Sequence, residues 1–197
     1  MSKLSYNIIN GITLYRVIAA PVLIVLIFTK QLDLFKWLLL ISFFTDFIDG
    51  FLARKFKVTS IFGTRLDSIG DDLTVLAALI GLFVFKIEFI KEELIIFITL
   101  LMLFAIQTIF ALVRYRKISS FHTYLAKTAA ILQGTFFILV FLLTYPSYLL
   151  FYAAATVTAI ELIEETILVA LLPTWEANVK GLYWVMKRKK KKESNHS

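Results

Sequence analysis

The amino-acid sequence predicts an all-α, polytopic integral membrane protein with six transmembrane helices. Apolar residues make up 59% of the chain, whereas a soluble domain averages about 45–50%. Six apolar runs are each about 20 residues long, the length that a helix needs to cross a bilayer. Because backbone polar groups in lipid must pair within their own segment, these runs are predicted to be helices. They cover residues 8–28, 34–53, 66–85, 94–113, 123–143 and 147–172 of a single domain, 1–197.

The charged residues narrow the class of partner. The formal net charge is +7, and most of the excess lies in short loops and in a basic tail, 187–197. This distribution suits the anionic surface of a membrane. No folded basic face is predicted that could bind nucleic acid, so nucleic acid is not an expected partner.

Lysine and arginine residues fall mainly on one side of the predicted six-span topology. That side holds the loop 54–65, the segment 114–117 and the basic tail, whereas the opposite loops have few cations or balance them with glutamates. The positive-inside rule therefore places both termini and the loop 54–65 in the cytoplasm.

The first span begins after a short polar segment. Asn10 could cap the first helix, because asparagine is a favoured N-cap residue. Arg16 lies farther along, where it could extend to the cytoplasmic surface or line a site.

Two pairs of aspartates flank the loop between the second and third spans. Asp46 and Asp49 are three residues apart, and Asp67 and Asp71 are four apart. Residues at these spacings share one face of a helix. Acidic residues in membrane segments face the protein interior or a wet cavity, so we expect the four carboxylates to line a site that opens to the cytoplasm.

Four carboxylates at the edge of a bilayer need a counter-charge, since burying an unpaired ion costs at least several kcal/mol. The donor set contains only oxygen, with no Cys in the chain and no His nearby. Such a set suits Mg²⁺, Mn²⁺ or Ca²⁺. Four carboxylates are enough for two ions, an arrangement that stabilises the attacking and leaving oxygens of phosphoryl transfer.

Small and basic residues near the aspartates indicate a ligand groove. Gly50 and Ala53 continue the face of the first aspartate pair and leave room beside it. Arg54 could bind a phosphate through its planar fork. Gly63 is expected in the polar turn, where the backbone could approach a ligand.

The stretch from Asp46 to Asp71 resembles the signature of the CDP-alcohol phosphatidyltransferases. It reads Asp-x-x-Asp-Gly-x-x-Ala-Arg, eight residues, then Gly-x-x-x-Asp-x-x-x-Asp, with every fixed position filled at the family's spacing. The opening stretch 7–16 is similar to the first helix of bacterial phosphatidylglycerophosphate synthases. The resemblance implies transfer of a phosphatidyl group from CDP-diacylglycerol to a hydroxyl acceptor, with release of CMP.

The resemblance also implies roles for individual residues. Two Mg²⁺ or Mn²⁺ ions would be bound by the four aspartates, with Asp71 as the general base. The CDP moiety would contact Gly50, Ala53, Arg54 and Gly63, and Asn10 would face the nucleotide phosphates. Many bacterial relatives have Lys at the position of Asp72. On a helix, Asp72 points about 100° away from Asp71, so it is interpreted as a charge behind the metal ligands or on the protein surface. The family resemblance further implies a homodimer.

The segment after the fourth span offers a candidate acceptor site. Arg114 and Lys127 end and begin spans on the active-site side, where they could bind a phosphate on the acceptor. Alternatively, these charges reflect topology alone. Glycerol 3-phosphate is the expected acceptor, and serine, inositol phosphate and phosphatidylglycerol stay open. Enzymes that use glycerophosphate usually have Gln close after a Lys-Thr pair, whereas Gln133 lies farther from Lys127.

Three glutamates, Glu161, Glu164 and Glu165, lie in the cytoplasmic half of the sixth span. Intramembrane carboxylates are candidates for a function. A structural ion pair is the favoured interpretation, and the candidate cations are Arg16, Arg114 and Lys127.

Two non-enzymatic classes compete with the transferase. A cation transporter or channel could use the aspartates as an ion path, but Arg54 would repel the ion. A lipid-binding scaffold without activity is the other alternative, and the four intact aspartates argue against it.

The topology gives the first testable prediction. A reporter fused after Ser197 should behave as cytoplasmic, because the cation bias and the even number of spans place both termini there. A reporter fused in the segment 86–93 should behave as external. The reverse pattern would move the candidate site to the other side of the membrane.

Overall fold

The computed structural model describes the backbone of residues 3–56, 61–117, 121–176 and 179–194. Within these ranges, the described side chains exclude those of residues 3–14, 16, 46–47, 49–56, 61–69, 71–72, 189 and 191–194. The regular elements found in these ranges are all helices, which confirms the all-α fold class. They are α1 (Lys3–Phe28), α2 (Leu32–Phe56), α3 (Ile61–Phe85), α4 (Ile87–Glu92), α5 (Leu94–Tyr115), α6 (Tyr124–Leu142), α7 (Tyr148–Leu171) and α8 (Leu182–Ser194).

Each of the six predicted spans falls on a long helix. Among the described residues, two helices are long and apolar enough to cross a membrane by length and composition, α5 and α6. Shorter apolar stretches run over Val17–Phe28 and Leu73–Phe85. The count of six spans therefore stays a prediction.

Two expectations about local structure are wrong. Asn10 lies inside α1, which begins at Lys3, so it does not cap that helix. Gly63 lies in the first turn of α3 rather than in a polar turn, because the helix begins at Ile61. The sequence 61–66 contains no Pro, so its apolar residues Ile61 and Phe62 can extend the helix ahead of the predicted span.

The first of two compact units comprises residues 1–92 and 137–144. Helix α1 packs against α2 and α3, and α2 also contacts α3. The centre of this unit is aromatic: the ring of the fully buried Phe35 lies 5.0 Å from that of Phe141 and 5.3 Å from that of Phe85. A Cβ added to Gly81 would lie 2.7 Å from Phe35 Cζ, so only a glycine admits this ring.

Lys86 closes one end of the same unit. Its amine donates hydrogen bonds of 3.3 Å to the carbonyl oxygens of Leu143 and Thr144. These two carbonyls lie just after the end of α6 at Leu142, where no further helical turn supplies an N–H donor. Burial lowers the pKa of Lys86.

The second unit comprises residues 93–136 and 145–197. Helix α5 packs against α7, and α7 contacts α8. Its core joins all three helices and the segments between them, through Ala111, Phe121, Leu168, Val169, Leu172, Val179 and Val185. Elsewhere α5 is largely exposed, and its buried residues are Gln107 and Ala111, as expected of a helix that faces lipid.

The packing of Gly81 gives a stability prediction. Gly81→Ala should destabilise the protein by about 1–3 kcal/mol, the range for overpacking a full core, because Phe35 must move. The measurement is the thermal midpoint in detergent, followed by the fraction that stays monodisperse.

Gly134→Ala is the matched control, since an added Cβ there meets no heavy atom within 4 Å. Alanine is the better helix former, so this variant should be neutral or slightly more stable. Equal midpoints for Gly81→Ala and wild type would contradict the packing argument.

Candidate functional site

The two aspartate pairs lie on neighbouring helices of the first unit. Asp46 and Asp49 are in α2 before its end at Phe56, and Asp67 and Asp71 are in the N-terminal half of α3. Because both segments are continuous helices, the spacing places each pair on one helical face. The side chains of all four lie outside the described residues.

Described residues on the same two faces are buried in the first unit. Ser42, four residues before Asp46, is fully buried, and Thr74, three residues after Asp71, is 3% exposed. Gly70, three residues after Asp67, is also buried. The faces that carry the aspartates therefore continue into the interior of this unit.

The hydroxyl groups of Ser42 and Thr74, on the same helical faces as the aspartates, donate hydrogen bonds within their own helices. Ser42 Oγ donates to the carbonyl of Leu38 at 2.9 Å, and Thr74 Oγ1 donates to that of Gly70 at 2.8 Å. Each hydroxyl proton is thus used locally, so these groups are poor donors to a neighbouring carboxylate.

Within the described side chains, no group of three or more His, Cys, Asp or Glu residues could hold a metal ion. The four aspartates fall outside that set. Their donor chemistry, four carboxylates with oxygen ligands only, fits Mg²⁺ or Mn²⁺.

The residues predicted to contact CDP lie on the same helices as the aspartates or on α1. Asn10 is in α1, Gly50, Ala53 and Arg54 are in α2, and Gly63 is in α3. These three helices contact one another in the first unit. The side-chain positions of Asn10, Ala53 and Arg54 lie outside the described residues.

Arg114 has a structural contact that the sequence did not reveal. Its Nε and Nη2 atoms donate to the carbonyl of Leu172, both at 3.3 Å. The neighbouring Tyr115 hydroxyl lies 2.9 Å from the same oxygen and 3.0 Å from that of Val169. Together they satisfy carbonyls at the C-terminal end of α7, where a cation is also favoured by the helix dipole.

Lys127 lies in the first turn of α6. Its side chain is exposed, and its amine lies 5.6 Å from the centre of the Tyr124 ring. The start of α6 is fixed by Thr123, whose Oγ1 accepts a hydrogen bond from the Ala126 amide at 3.0 Å. Arg114 and Lys127 both belong to the second unit, whereas the aspartates belong to the first.

The glutamates of α7 do not pair with Arg114 or Lys127. Glu165 accepts a hydrogen bond of 2.8 Å from Gln107 Nε2, and Glu164 accepts one of 2.9 Å from the Leu182 amide. An ion pair with Arg16 stays a prediction, because that side chain is not described. Gln133 is also engaged within the second unit, where its Nε2 donates to Thr158 Oγ1 at 2.6 Å.

A comparison with known protein families matches most of the chain, from α1 into α7. A family model described as CDP-alcohol phosphatidyltransferase matches residues 6–163. No solved structure matches the chain significantly.

Curated relatives match a shorter stretch. A protein of Haemophilus influenzae is 37% identical over 81 residues, which are 39% of this chain and 43% of that protein. A protein of Rickettsia bellii is 36% identical over 76 residues, 37% of this chain and 42% of that protein. Both are named CDP-diacylglycerol--glycerol-3-phosphate 3-phosphatidyltransferase. The chain thus spans less than half the length of these relatives.

The contact between Arg114 and Leu172 gives a prediction. Arg114→Ala should lower the free energy of unfolding by about 0.5–1.5 kcal/mol, the usual net value of a hydrogen bond. Tyr115→Phe should have a similar effect, and the double variant should lose more than the sum, because each side chain can partly replace the other. Thermal midpoints in detergent measure this. Lys187→Ala, at an exposed position, is the control for loss of one cation. An unchanged midpoint in the double variant would contradict the capping role.

Proposed function

Because the chain belongs to the CDP-alcohol phosphatidyltransferase family, we propose that it transfers a phosphatidyl group from CDP-diacylglycerol to glycerol 3-phosphate and releases CMP. The observation that carries this proposal is the complete family motif on α2 and α3. Its aspartates share the faces that run into the interior of the first unit. The names of the curated relatives favour glycerol 3-phosphate as the acceptor.

The proposed reaction is a displacement at phosphorus. The acceptor hydroxyl oxygen forms a bond to the phosphorus of the phosphatidyl group, and the bond from that phosphorus to the oxygen of CMP breaks. Asp71 takes the hydroxyl proton as general base. CMP leaves with the electron pair of the broken bond.

The four aspartates would hold two divalent ions, Mg²⁺ or Mn²⁺, which supply charge neutralisation at the pyrophosphate and at the leaving CMP. Ser42 and Thr74 cannot supply that charge, since they are neutral and bonded to their own helices. A divalent cation is the expected counter-charge, because four carboxylates with oxygen ligands only need neutralisation and an unpaired buried ion costs several kcal/mol.

The remaining motif residues would bind and orient CDP. Gly50 and Ala53 leave space beside the first aspartate pair, and Arg54 offers a fork to a phosphate. Asn10 would face the nucleotide phosphates from α1. Gly63 lies in the first turn of α3, where backbone N–H groups have no intrahelical acceptor and can donate to a phosphate.

For the acceptor, we propose that Lys127 binds the phosphate of glycerol 3-phosphate. Its amine is exposed, and it forms no ion pair in the part of the chain that the structure describes. Arg114 would contribute less, because Leu172 occupies two of its donors. Six spans, a cytoplasmic site and a homodimer complete the proposal.

The deciding experiment is an assay of CMP release by purified protein. CDP-diacylglycerol is supplied with Mg²⁺ or Mn²⁺ and with glycerol 3-phosphate, serine and inositol phosphate in competition, and the lipid product is identified. We expect phosphatidylglycerophosphate, loss of activity in EDTA and recovery with the metal. Lys127→Ala should raise the KM for the acceptor with little change for the donor. Turnover in excess chelator, or no CMP release with any acceptor, would overturn the proposal.

Asp71→Asn tests the general base. The variant should lose at least about 100-fold in rate, the lower range for a positioned base, while donor binding survives better than turnover. Asp72→Asn is the matched control at the next position and should stay near the wild-type rate. A near-normal rate in Asp71→Asn would show that another group accepts the proton.

A further inference from the structure

The exposed face of α8 is a second surface of interest. Val185 is 2% exposed and packs into the core of the second unit, whereas Tyr183 is 66%, Trp184 44% and Met186 50% exposed. Aromatic side chains thus cover the side of the helix that points away from the core. We call Tyr183 and Trp184, together with Tyr124, the aromatic face.

The aromatic face is built from two helices. The ring centre of Trp184 lies 5.3 Å from that of Tyr124 in α6 and 5.5 Å from that of Tyr183. The amide of Tyr124 also donates to the carbonyl of Lys180 at 3.2 Å. Tyr124 is itself 54% exposed. The rings therefore form one exposed cluster held by backbone contacts, not separate residues on a loose tail.

The first turn of α8 is anchored to α7. Gly181 has a φ of 146°, which a residue with a side chain rarely adopts. The next amide, that of Leu182, donates to Glu164 Oε1 at 2.9 Å. A carboxylate at the N-terminus of a helix is also favoured by the helix dipole. The start of α8 and the residues of its aromatic face therefore have a defined position on the second unit.

Cations lie beside these rings. Lys180 precedes α8, and Lys187 and Lys190 lie four and seven residues after Tyr183, so they share its side of the helix. All three are exposed, and in the described ranges none has an ion pair. Arg188 differs, because it donates two hydrogen bonds of 2.9 and 3.0 Å to Glu176.

We propose that the aromatic face and the neighbouring Lys180, Lys187 and Lys190 bind the headgroups of anionic phospholipids in the bilayer. Tyr and Trp are enriched at the boundary between headgroups and acyl chains. Clusters of Lys and Arg beside a membrane segment are attracted to anionic lipid. The run from Lys187 to Lys192 adds to this charge.

The observations favour lipid over another polyanion. Exposed apolar side chains cover α5 in the same unit, among them Ile95, Leu101 and Val113, so this unit already presents a surface suited to acyl chains. Met186 extends the apolar part of the α8 surface. A zwitterionic headgroup carries no net charge, so it attracts the lysines less than an anionic headgroup does. The proposal requires a protein in a membrane and is independent of the proposed reaction.

The test uses the full chain in lipid nanodiscs. Trp37→Phe and Trp175→Phe leave Trp184 as the sole tryptophan of the three. Its fluorescence is measured with a quencher on the headgroup of either phosphatidylglycerol or phosphatidylcholine, at equal mole fraction. We expect at least about twofold stronger quenching by the anionic lipid, because the lysines enrich it around α8. Addition of 0.5 M salt should weaken that preference.

Lys187→Gln with Lys190→Gln should reduce the preference, and Lys30→Gln with Lys91→Gln, two exposed lysines of the first unit, should leave it unchanged. Equal quenching by both lipids in the variant with Trp37→Phe and Trp175→Phe alone, or an unchanged preference after Lys187→Gln and Lys190→Gln are added, would overturn the proposal. Monodisperse elution confirms folding of each variant.

As a second measurement, Ser194→Cys provides a unique thiol in a chain without Cys. A label there should also report the anionic preference, and its absence would count against the proposal.

Discussion

Helix ends in the second unit depend on side chains that pair with backbone groups. A membrane offers few partners to a free carbonyl or amide, so each end must be satisfied by the protein or reach water. Tyr115 and Arg114 pair with carbonyls at the end of α7, Thr123 caps α6, and Glu164 pairs with the first amide of α8. The contacts of Arg114, Tyr115 and Glu164 fix the relative positions of α5, α7 and α8 at one end of the unit. They also explain why several polar residues that looked available for a ligand are engaged in the fold.

In the first unit, the described buried hydroxyls form hydrogen bonds within their own helices instead of between helices. These hydroxyls are those of Ser42 and Thr74, and each donates to a carbonyl four residues earlier. The rest of its core is apolar, with Phe35, Leu39, Ala77, Ala78 and Leu82 among the most buried residues. An apolar core of this kind contributes no charge that could offset the aspartates on the same helical faces. The physical environment therefore favours the cation requirement that the motif itself suggests.

Much of the fold could be predicted, because its determinants are local. The long apolar runs predict six of the helices, and the spacing of the aspartates predicts shared faces on α2 and α3. Helices α4 and α8 were missed, since one has six residues and the other is dominated by lysines. Their stability comes from contacts with other segments, such as Val185 with the core.

The site residues divide in the same way. The motif from Asp46 to Asp71 is contiguous, so a single sequence reveals it. The contact of Arg114 with Leu172, or of Glu164 with Leu182, joins residues far apart in the chain, and their sequence contains no sign of the partner. Asn10 and Gly63 were misplaced because helix boundaries depend on the tertiary fold as well as on local propensity.

The length of α8 has a consequence for how ionic strength acts on this chain. The helix has 13 residues. At about 1.5 Å per residue, Lys187 lies about 8 Å along the helix from the Leu182 amide, which donates to Glu164. The basic run continues for about another 8 Å. The Debye length in physiological salt is also about 8 Å. Most of that run is therefore screened from the carboxylate at its base. In dilute buffer the Debye length is longer, so the carboxylate of Glu164 acts on more of the lysine run.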